Sequence, residues 1–506
     1  MTQRSTTEHR HPDQWQSLAE LSKDELYERA KENQIDGRSG MTKSELLEAL
    51  SRSQPHAGSR LGTFRRLAES AAAGEFLLTP RQLSGNDRRM HVRQTLREDH
   101  RARITAHSDG ARAKFAKLAG SLFSFFRGTA LLFYRDMAGD DAWMPTVLNL
   151  GDVHPGNFGV MPNADFVPIF AVNDFDEAFY APFTWDLKRG ATGFMLAAEC
   201  IRGYSRKRQR KIARKFLRGY ACGIRRFADE RSEMDQEFRL DNAPELIRGL
   251  IENAQTTRDE WLREDYQDEH RRGFRSDEDL IPVSTRRDEF QQLVHDLVGT
   301  MEIDAPARAG AMRVKDVAIR KNQGTASLGL DRYYVMVEGP REDGTDDLIL
   351  EFKRARRSAL ADLVPPSDRH FDVPGDRVKH AQSSQLVRGD VFYGSIEVDG
   401  QSFMTRERAP YRDDIDLDDL SKSEWKDYAG ICGQALAHAH SLSDEIGAIE
   451  HDIEPRIIEA MQPVDLFVKD VLRFADEAVQ RCRKDHRYFR SDYKDGAFER
   501  VDHVYQ

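Results

Sequence analysis

The 506-residue sequence has only four cysteines, Cys200, Cys222, Cys432 and Cys482, far apart and in no CxxC pair. That argues against a disulfide framework or a cysteine-built zinc site, and it fits a reducing cytoplasm. No apolar run reaches the roughly 18–20 residues that a membrane-spanning helix needs. The opening stretch MTQRSTTEHRHPDQW is polar throughout, so no secretory leader is read there. Positive charge is not in excess: the net charge of −10 argues against a protein that coats nucleic acid with its whole surface, though not against a local basic patch. No internal repeat is visible. What is present is 39% hydrophobic and 32% charged residues, the balance of a globular chain with a very polar surface. The length allows two to four domains.

Residues 1–15 read as a disordered tail. Two short helices are expected within residues 16–51. In the first, SKDELYERAKEN, Ser22 is the N-cap candidate with Glu25 three residues on, and Leu21, Leu26 and Ala30 recur at helical spacing. In the second, MTKSELLEAL, Thr42 and Glu45 repeat the capping pattern. Residues 52–60 read as a polar linker. Residues 61–300 are expected to be largely helical, interrupted by short strands and loops over 148–178. A basic stretch at 201–220 holds nine Arg or Lys and no acid. A solvated helix face explains it better than a polyanion-binding surface. Residues 301–420 are β-rich: RYYVMVEG, DLILEFK, VFYGSIEV and QSFMTRER are strand candidates, with a helix over 376–389 and a hinge at TRERAP. Residues 421–506 return to helix and are expected to complete the helical lobe.

The informative segments are LNLGDVHPGNFGV (148–160) and FAVNDFDEAFYAPFTWDLKR (170–189). The first puts Asp152 and Asn157 five apart in a loop kept tight by Gly151, Pro155 and Gly156. The second puts Asp174 at the end of an apolar strand. Phosphoryl transfer needs such parts: one carboxylate to orient the attacking hydroxyl, and a carboxylate and an amide oxygen to hold magnesium against the phosphates. Taken alone, the first segment could be an ordinary Asp/Asn-rich turn; both in order, followed by WDL, make coincidence a poor explanation. His154 reads as a loop-packing residue rather than a metal ligand.

These segments resemble the aminoglycoside phosphotransferase and choline kinase branch of the protein-kinase-like superfamily, whose members carry HGDxHxxN, then IDFxDA, then a DLA element. GDVHPGN, NDFDEA and WDLKR are the matches here. The resemblance implies Asp152 as catalytic aspartate, Asn157 as a metal ligand, Asp174 as the principal metal ligand and Asp176 as a second metal or substrate contact. Asp186 would brace the loop from a helix N-terminus. The histidine that usually precedes GD is Leu150 here, which leaves the loop's packing as the point of departure.

No glycine-rich loop and lysine precede this segment. The candidates follow it instead: Gly324, Thr325, Ser327 and Gly329 in a turn between two strands, and Lys353 in the strand of DLILEFKRA. Small residues let backbone N–H groups approach phosphates, and a lysine so placed can pair with them. A hairpin turn and a surface lysine are the simpler alternatives. The expected partner helix carries Gln382 and Gln385 where a glutamate would be needed to neutralise Lys353. The element order implies an α+β, protein-kinase-like two-lobed fold, circularly permuted, with a small N-terminal helical domain.

The motifs FFRGTA, GDVHPGNFG, NDFDEAFYAPFTWDLKR, GTASLG, LEFKRA and ALAHAH, from about residue 75 onward, resemble the bacterial family named domain of unknown function 2252. Arg127, Gly128, Glu177, Lys188, Arg189 and His440 lie in the same shared motifs. DGRSGMTKSELLEAL resembles the N-terminal helical module of transcription terminator Rho, a relative in shape of the SAP fold. That resemblance implies a nucleic-acid partner for residues 16–51, through Lys31, Arg38 and Lys43; a small helical adaptor with no such role is the other reading. The expected function is an ATP- and Mg2+-dependent phosphotransferase acting on a hydroxyl of an unknown acceptor. The alternatives are a nucleotide-binding pseudokinase or regulatory module, and transfer of AMP to a protein.

Overall fold

The structure, a computed structural model, describes residues 21–32, 35, 37–53, 79–106, 109–321, 329–364, 371–445, 449 and 451–499. The chain divides into two compact units, Met1–Phe76 and Leu77–Gln506. The expected tail and the linker at 54–60 lie outside the described residues.

The first unit holds the helices Lys23–Glu32 and Lys43–Ser53. Both start on reciprocal caps. The Ser22 N–H donates to Glu25 Oε2 at 2.7 Å and Glu25 N–H donates back to Ser22 Oγ at 3.3 Å. Thr42 and Glu45 repeat the pair at 2.7 and 3.3 Å. Each box satisfies two orphan donors of the first turn. The apolar spacing then closes a small core of Leu21, Leu26, Ala30, Leu46 and Leu50.

The second unit mixes helices and antiparallel strands. Strand β1 (Thr146–Asn149) pairs with β4 (Phe179–Pro182), and between them β2 (Phe158–Pro162) pairs with β3 (Pro168–Val172). These two ribbons leave two loops, 150–157 and 173–178. Both pack on the helix Thr184–Arg202 and its neighbours Arg206–Glu230 and Glu424–Ser441 in the largest core. Those last two helices touch backbone to backbone: a Cβ at Gly219 would lie 2.1 Å from the Gly430 carbonyl oxygen, so only glycine permits the approach. Small residues along the two facing stripes thus bring the helix pair behind the loops close together.

A six-stranded sheet follows, built from β5 (Leu280–Pro282), β6 (Val314–Arg320), β7 (Arg332–Val337), β8 (Leu348–Arg354), β9 (Gly394–Val398) and β10 (Gln401–Arg408). Its spatial order is β5-β6-β7-β8-β10-β9, with every pair antiparallel. Period-two alternation sorts its faces. Val335, Val337, Leu348, Leu350 and Phe352 pack on the helix Arg287–Thr300. The alternate positions Arg332, Glu351, Lys353 and Arg406 share the opposite face. The sheet thus recruits β5, and packs under a helix, from before residue 301. Its last long strand runs to Arg408, so the expected hinge residues 405–408 are paired in β10 and the chain turns away only at 409–413. The helix expected over 376–389 spans Pro374–Ser384. No helix among the described residues is long and apolar enough to cross a membrane.

Candidate active site

The loop after β1 is held from below by one face of one helix. Asp186, in the first turn of Thr184–Arg202, accepts the Leu150 N–H at 2.6 Å and the Gly151 N–H at 3.0 Å. A carboxylate there also meets the positive end of the helix. His440 bridges behind it, with Nε2 3.2 Å from Asp186 and Nδ1 2.9 Å from the Tyr220 hydroxyl. Three residues on, and so on the same helix face, Arg189 binds Asp152 Oδ1 through Nη2 at 2.7 Å and Nε at 3.1 Å. The Arg189 guanidinium is fully buried against the Phe126 ring, 3.7 Å from its centroid, and donates to the Phe126 carbonyl. Leu150 is buried in the main core with its N–H bonded, so the loop packs without the histidine usual in the resembling kinases.

Gly151 adopts φ +78, and a Cβ there would lie 2.2 Å from the Glu177 carbonyl oxygen. The left-handed turn and this contact both require glycine, and they press the two loops together. A second tie is the Asn173 N–H donating to the Asn157 carbonyl at 3.1 Å. Asn157 Nδ2 donates to the Asp152 carbonyl at 2.7 Å, which fixes the amide; its Oδ1 takes no hydrogen bond from a described residue. Burial pushes the Asp152 carboxyl above its ordinary range, with the Arg189 guanidinium pulling the other way. His154 is buried and its pKa is driven well below the usual value by burial and then by Arg127. Gly156 N lies 3.1 Å from its Nδ1 and Arg127 Nε 3.0 Å from its Nε2. A neutral ring accepts only one of these two N–H groups.

The second loop meets the charged face of the sheet. Lys353 Nζ lies 2.6 Å from Asp176 Oδ2 and 3.8 Å from Asp174 Oδ1. Burial would raise the Asp176 pKa, but Lys353, then Arg332 and Arg406, outweigh it and hold the carboxyl below its ordinary value. Fully buried Glu351, two residues before the lysine, pairs with Arg406 at 2.5 Å and Arg332 at 3.1 Å. Asp174 is the more open acid, its side chain 38% exposed, and among the described residues only the Asp176 N–H hydrogen-bonds it, at 3.3 Å. Glu177 turns inward: it accepts the Ala359 N–H at 2.6 Å, and burial lifts its pKa to about 7 against the pull of Arg356.

The helix Pro374–Ser384 reaches the site through the backbone of its loops. Arg377, on that helix, donates to the carbonyls of Asp176 at 2.6 Å and Ala178 at 2.5 Å, and Gln385 just after it donates to the Leu148 carbonyl at 2.5 Å. The acid opposite Lys353 therefore comes from the 173–178 loop, and not from the helix positions Gln382 and Gln385. Asp152, Asn157, Asp174, Asp176 and Lys353 are brought to these two loops and the facing strand. Gly329 instead abuts Gly110 at the start of the helix Asp109–Gly120, with φ +80. Gly324, Thr325 and Ser327 lie outside the described residues. Lys188 pairs with Asp141 at 2.5 Å. In the first unit, Lys31 is paired with Glu28 at 3.0 Å and Arg38 donates to the Ile35 carbonyl. The positioning roles of Arg189 and Arg377 were not read from the sequence. For Arg189 a signal existed, since it follows Asp186 at helical spacing; for Arg377 there was none.

A family model described as "Uncharacterized protein conserved in bacteria (DUF2252)" matches residues 107–492. No curated protein and no solved structure matches the chain.

Proposed function

The chain belongs to the bacterial family DUF2252, and we propose that it is an ATP- and Mg2+-dependent phosphotransferase with a protein-kinase-like, circularly permuted fold. The observation that carries this reading is Lys353 at 2.6 and 3.8 Å from Asp176 and Asp174, on the same pair of loops as Asp152 and Asn157. A cation from a sheet strand thus faces two acids from a loop encoded before that sheet.

The donor set fits the implied ligands. Asn157 Oδ1 and the open Asp174 carboxylate are hard oxygen atoms with spare acceptor capacity, the kind magnesium takes in small number from protein. Magnesium held there would offset the charge on the phosphate oxygens during transfer. Lys353 supplies the positive charge that can meet triphosphate oxygens, while Arg332 and Arg406 beside it are held by Glu351. Asp152 acts on the acceptor. Arg189 occupies its Oδ1 and leaves Oδ2 for the hydroxyl. Burial makes this carboxylate a stronger base than one in water. The acceptor oxygen bonds to the γ-phosphorus as the bond to the bridging oxygen breaks; ADP leaves and the hydroxyl proton passes to Asp152. For the first unit, the likeness to the Rho module supports a nucleic-acid contact by Lys31, Arg38 and Lys43.

The test is to incubate the full chain with Mg2+, cell extract and ATP labelled at either the γ or the α phosphate. Transfer of the γ label to an acceptor supports the proposal. Transfer of the α label alone points to AMP transfer, and ATP binding with no movement of either label points to a pseudokinase.

A further inference from the structure

The two oxygens of Asp152 face different surroundings. Oδ1 is taken by Arg189, whereas Oδ2 accepts from no described residue and has His154 Nε2 3.8 Å away. On the other side of that ring nitrogen lies Arg127 Nε, at 3.0 Å. Arg127 ends the helix Leu122–Arg127, which starts on a Ser121 cap, and its guanidinium sits 5.9 Å from the Phe123 ring centroid. The Nε contact and the ring fix the plane of the guanidinium. Its two terminal nitrogens meet no partner among the described residues, and the side chain is only half-buried.

A second cation stands on the helix packed beside it: a Cβ at Gly128, next to Arg127, would lie 2.4 Å from the side chain of Leu118, next to Lys117. Lys117, on the helix Asp109–Gly120, is exposed and has no ion-pair partner among the described residues. Partial burial, then Arg127, pull its pKa down. Arg127 also acts on Asp414, whose carboxylate already accepts from Asn173 Nδ2 at 2.9 Å. An oriented guanidinium whose terminal nitrogens meet no described partner, with a lysine on the adjoining helix, matches a carboxylate or phosphate, which it can bind through two parallel N–H groups. The same pair repels a cation, so it disfavours acceptors such as choline or an aminoglycoside, after which the resembling kinases are named.

We infer that Arg127 and Lys117 form the anion-binding half of the acceptor site, so that the acceptor is a hydroxyl compound bearing a carboxylate or phosphate. The inference rests on the phosphotransferase reading for the word acceptor, but the anion site itself does not. Arg127 binds the oxyanion, and the hydroxyl of the same molecule reaches Asp152 Oδ2.

The test is calorimetric titration of the full chain with inorganic phosphate, with glycolate as the carboxylate arm and with choline as the cationic control. Titration of a non-hydrolysable ATP analogue with Mg2+ runs alongside. Arg127→Gln should weaken binding of the preferred anion by ~10-fold or more, as loss of a charge-assisted pair does, and leave the ATP analogue unaffected. Lys353→Met should do the reverse. Lys117→Gln, at an exposed side chain that the fold does not need, should weaken the anion by a smaller factor. Which of phosphate and glycolate responds identifies the oxyanion. The inference is overturned if neither anion binds the wild-type chain, if both Arg127→Gln and Lys117→Gln leave anion binding unchanged, or if choline binds best. If the analogue fails to bind while the Arg127-dependent anion site persists, the phosphotransferase reading falls and the anion site stands.

Discussion

Lys353 Nζ lies 2.6 Å from Asp176 Oδ2, so a buried lysine of the sheet is paired with an acid from the loop between β3 and β4. This contact ties the sheet to the helix-packed loops, and it is also the contact that triphosphate would have to replace. Retention of the pair as a structural strut and its exchange for phosphate are opposed outcomes, and measurement can separate them.

Arg189 is the only described cation that hydrogen-bonds the Asp152 carboxylate, and it is itself fully buried. Removing one member of a buried ion pair leaves an uncompensated charge, at a cost of about 3–5 kcal/mol. Arg189→Met should therefore lower the unfolding free energy by that order, and adding Asp152→Asn should restore much of it. Denaturant unfolding of the two single variants and the double variant checks this. Additive losses would mean that the pair does not act as a unit.

Glu177 gives a pH signature. Its folded-state pKa is about 7 against an ordinary 4.5, because burial disfavours the charge. The group's contribution to stability is complete below the unfolded value and is lost as pH rises through about 7. Glu177→Gln escapes that loss. Its stability relative to wild type should rise by roughly 2 kcal/mol between pH 5 and pH 8. Chemical denaturation at both pH values decides it; a difference that stays constant would contradict the buried assignment.

Local signals in the sequence carried a long way. Ser22/Glu25 and Thr42/Glu45 are visible as capping boxes because all their contacts fall within one helical turn. The GDVHPGN and NDFDEA segments place their acids just after strands because the apolar runs TVLN and PIFAV stop there. Contacts between distant segments were less legible. Nothing local announces that Arg377 would hold the Asp176 and Ala178 carbonyls. The helix Arg287–Thr300 looked like its helical neighbours because periodicity reports a buried face without saying what covers it; it covers the sheet.

The first unit has its own small core of five buried residues. Deleting residues 1–58 should leave the thermal midpoint of the remainder within a few degrees and leave nucleotide binding unchanged. Melting curves of both forms test this. A large fall in the midpoint would show that these residues stabilise the rest of the chain.

The most direct test of the central claim is calorimetric titration of a non-hydrolysable ATP analogue with Mg2+ into the wild-type chain, Asp174→Ala and Asp152→Ala, with turnover measured on the acceptor found by labelling. The account predicts binding by wild type, loss of Mg2+-dependent binding and of turnover in Asp174→Ala, and nearly intact binding in Asp152→Ala with turnover down by ~10²-fold or more, the usual effect of losing a positioned acid–base group. Absence of binding by the wild-type chain, or the same binding and turnover in both variants as in wild type, would contradict it.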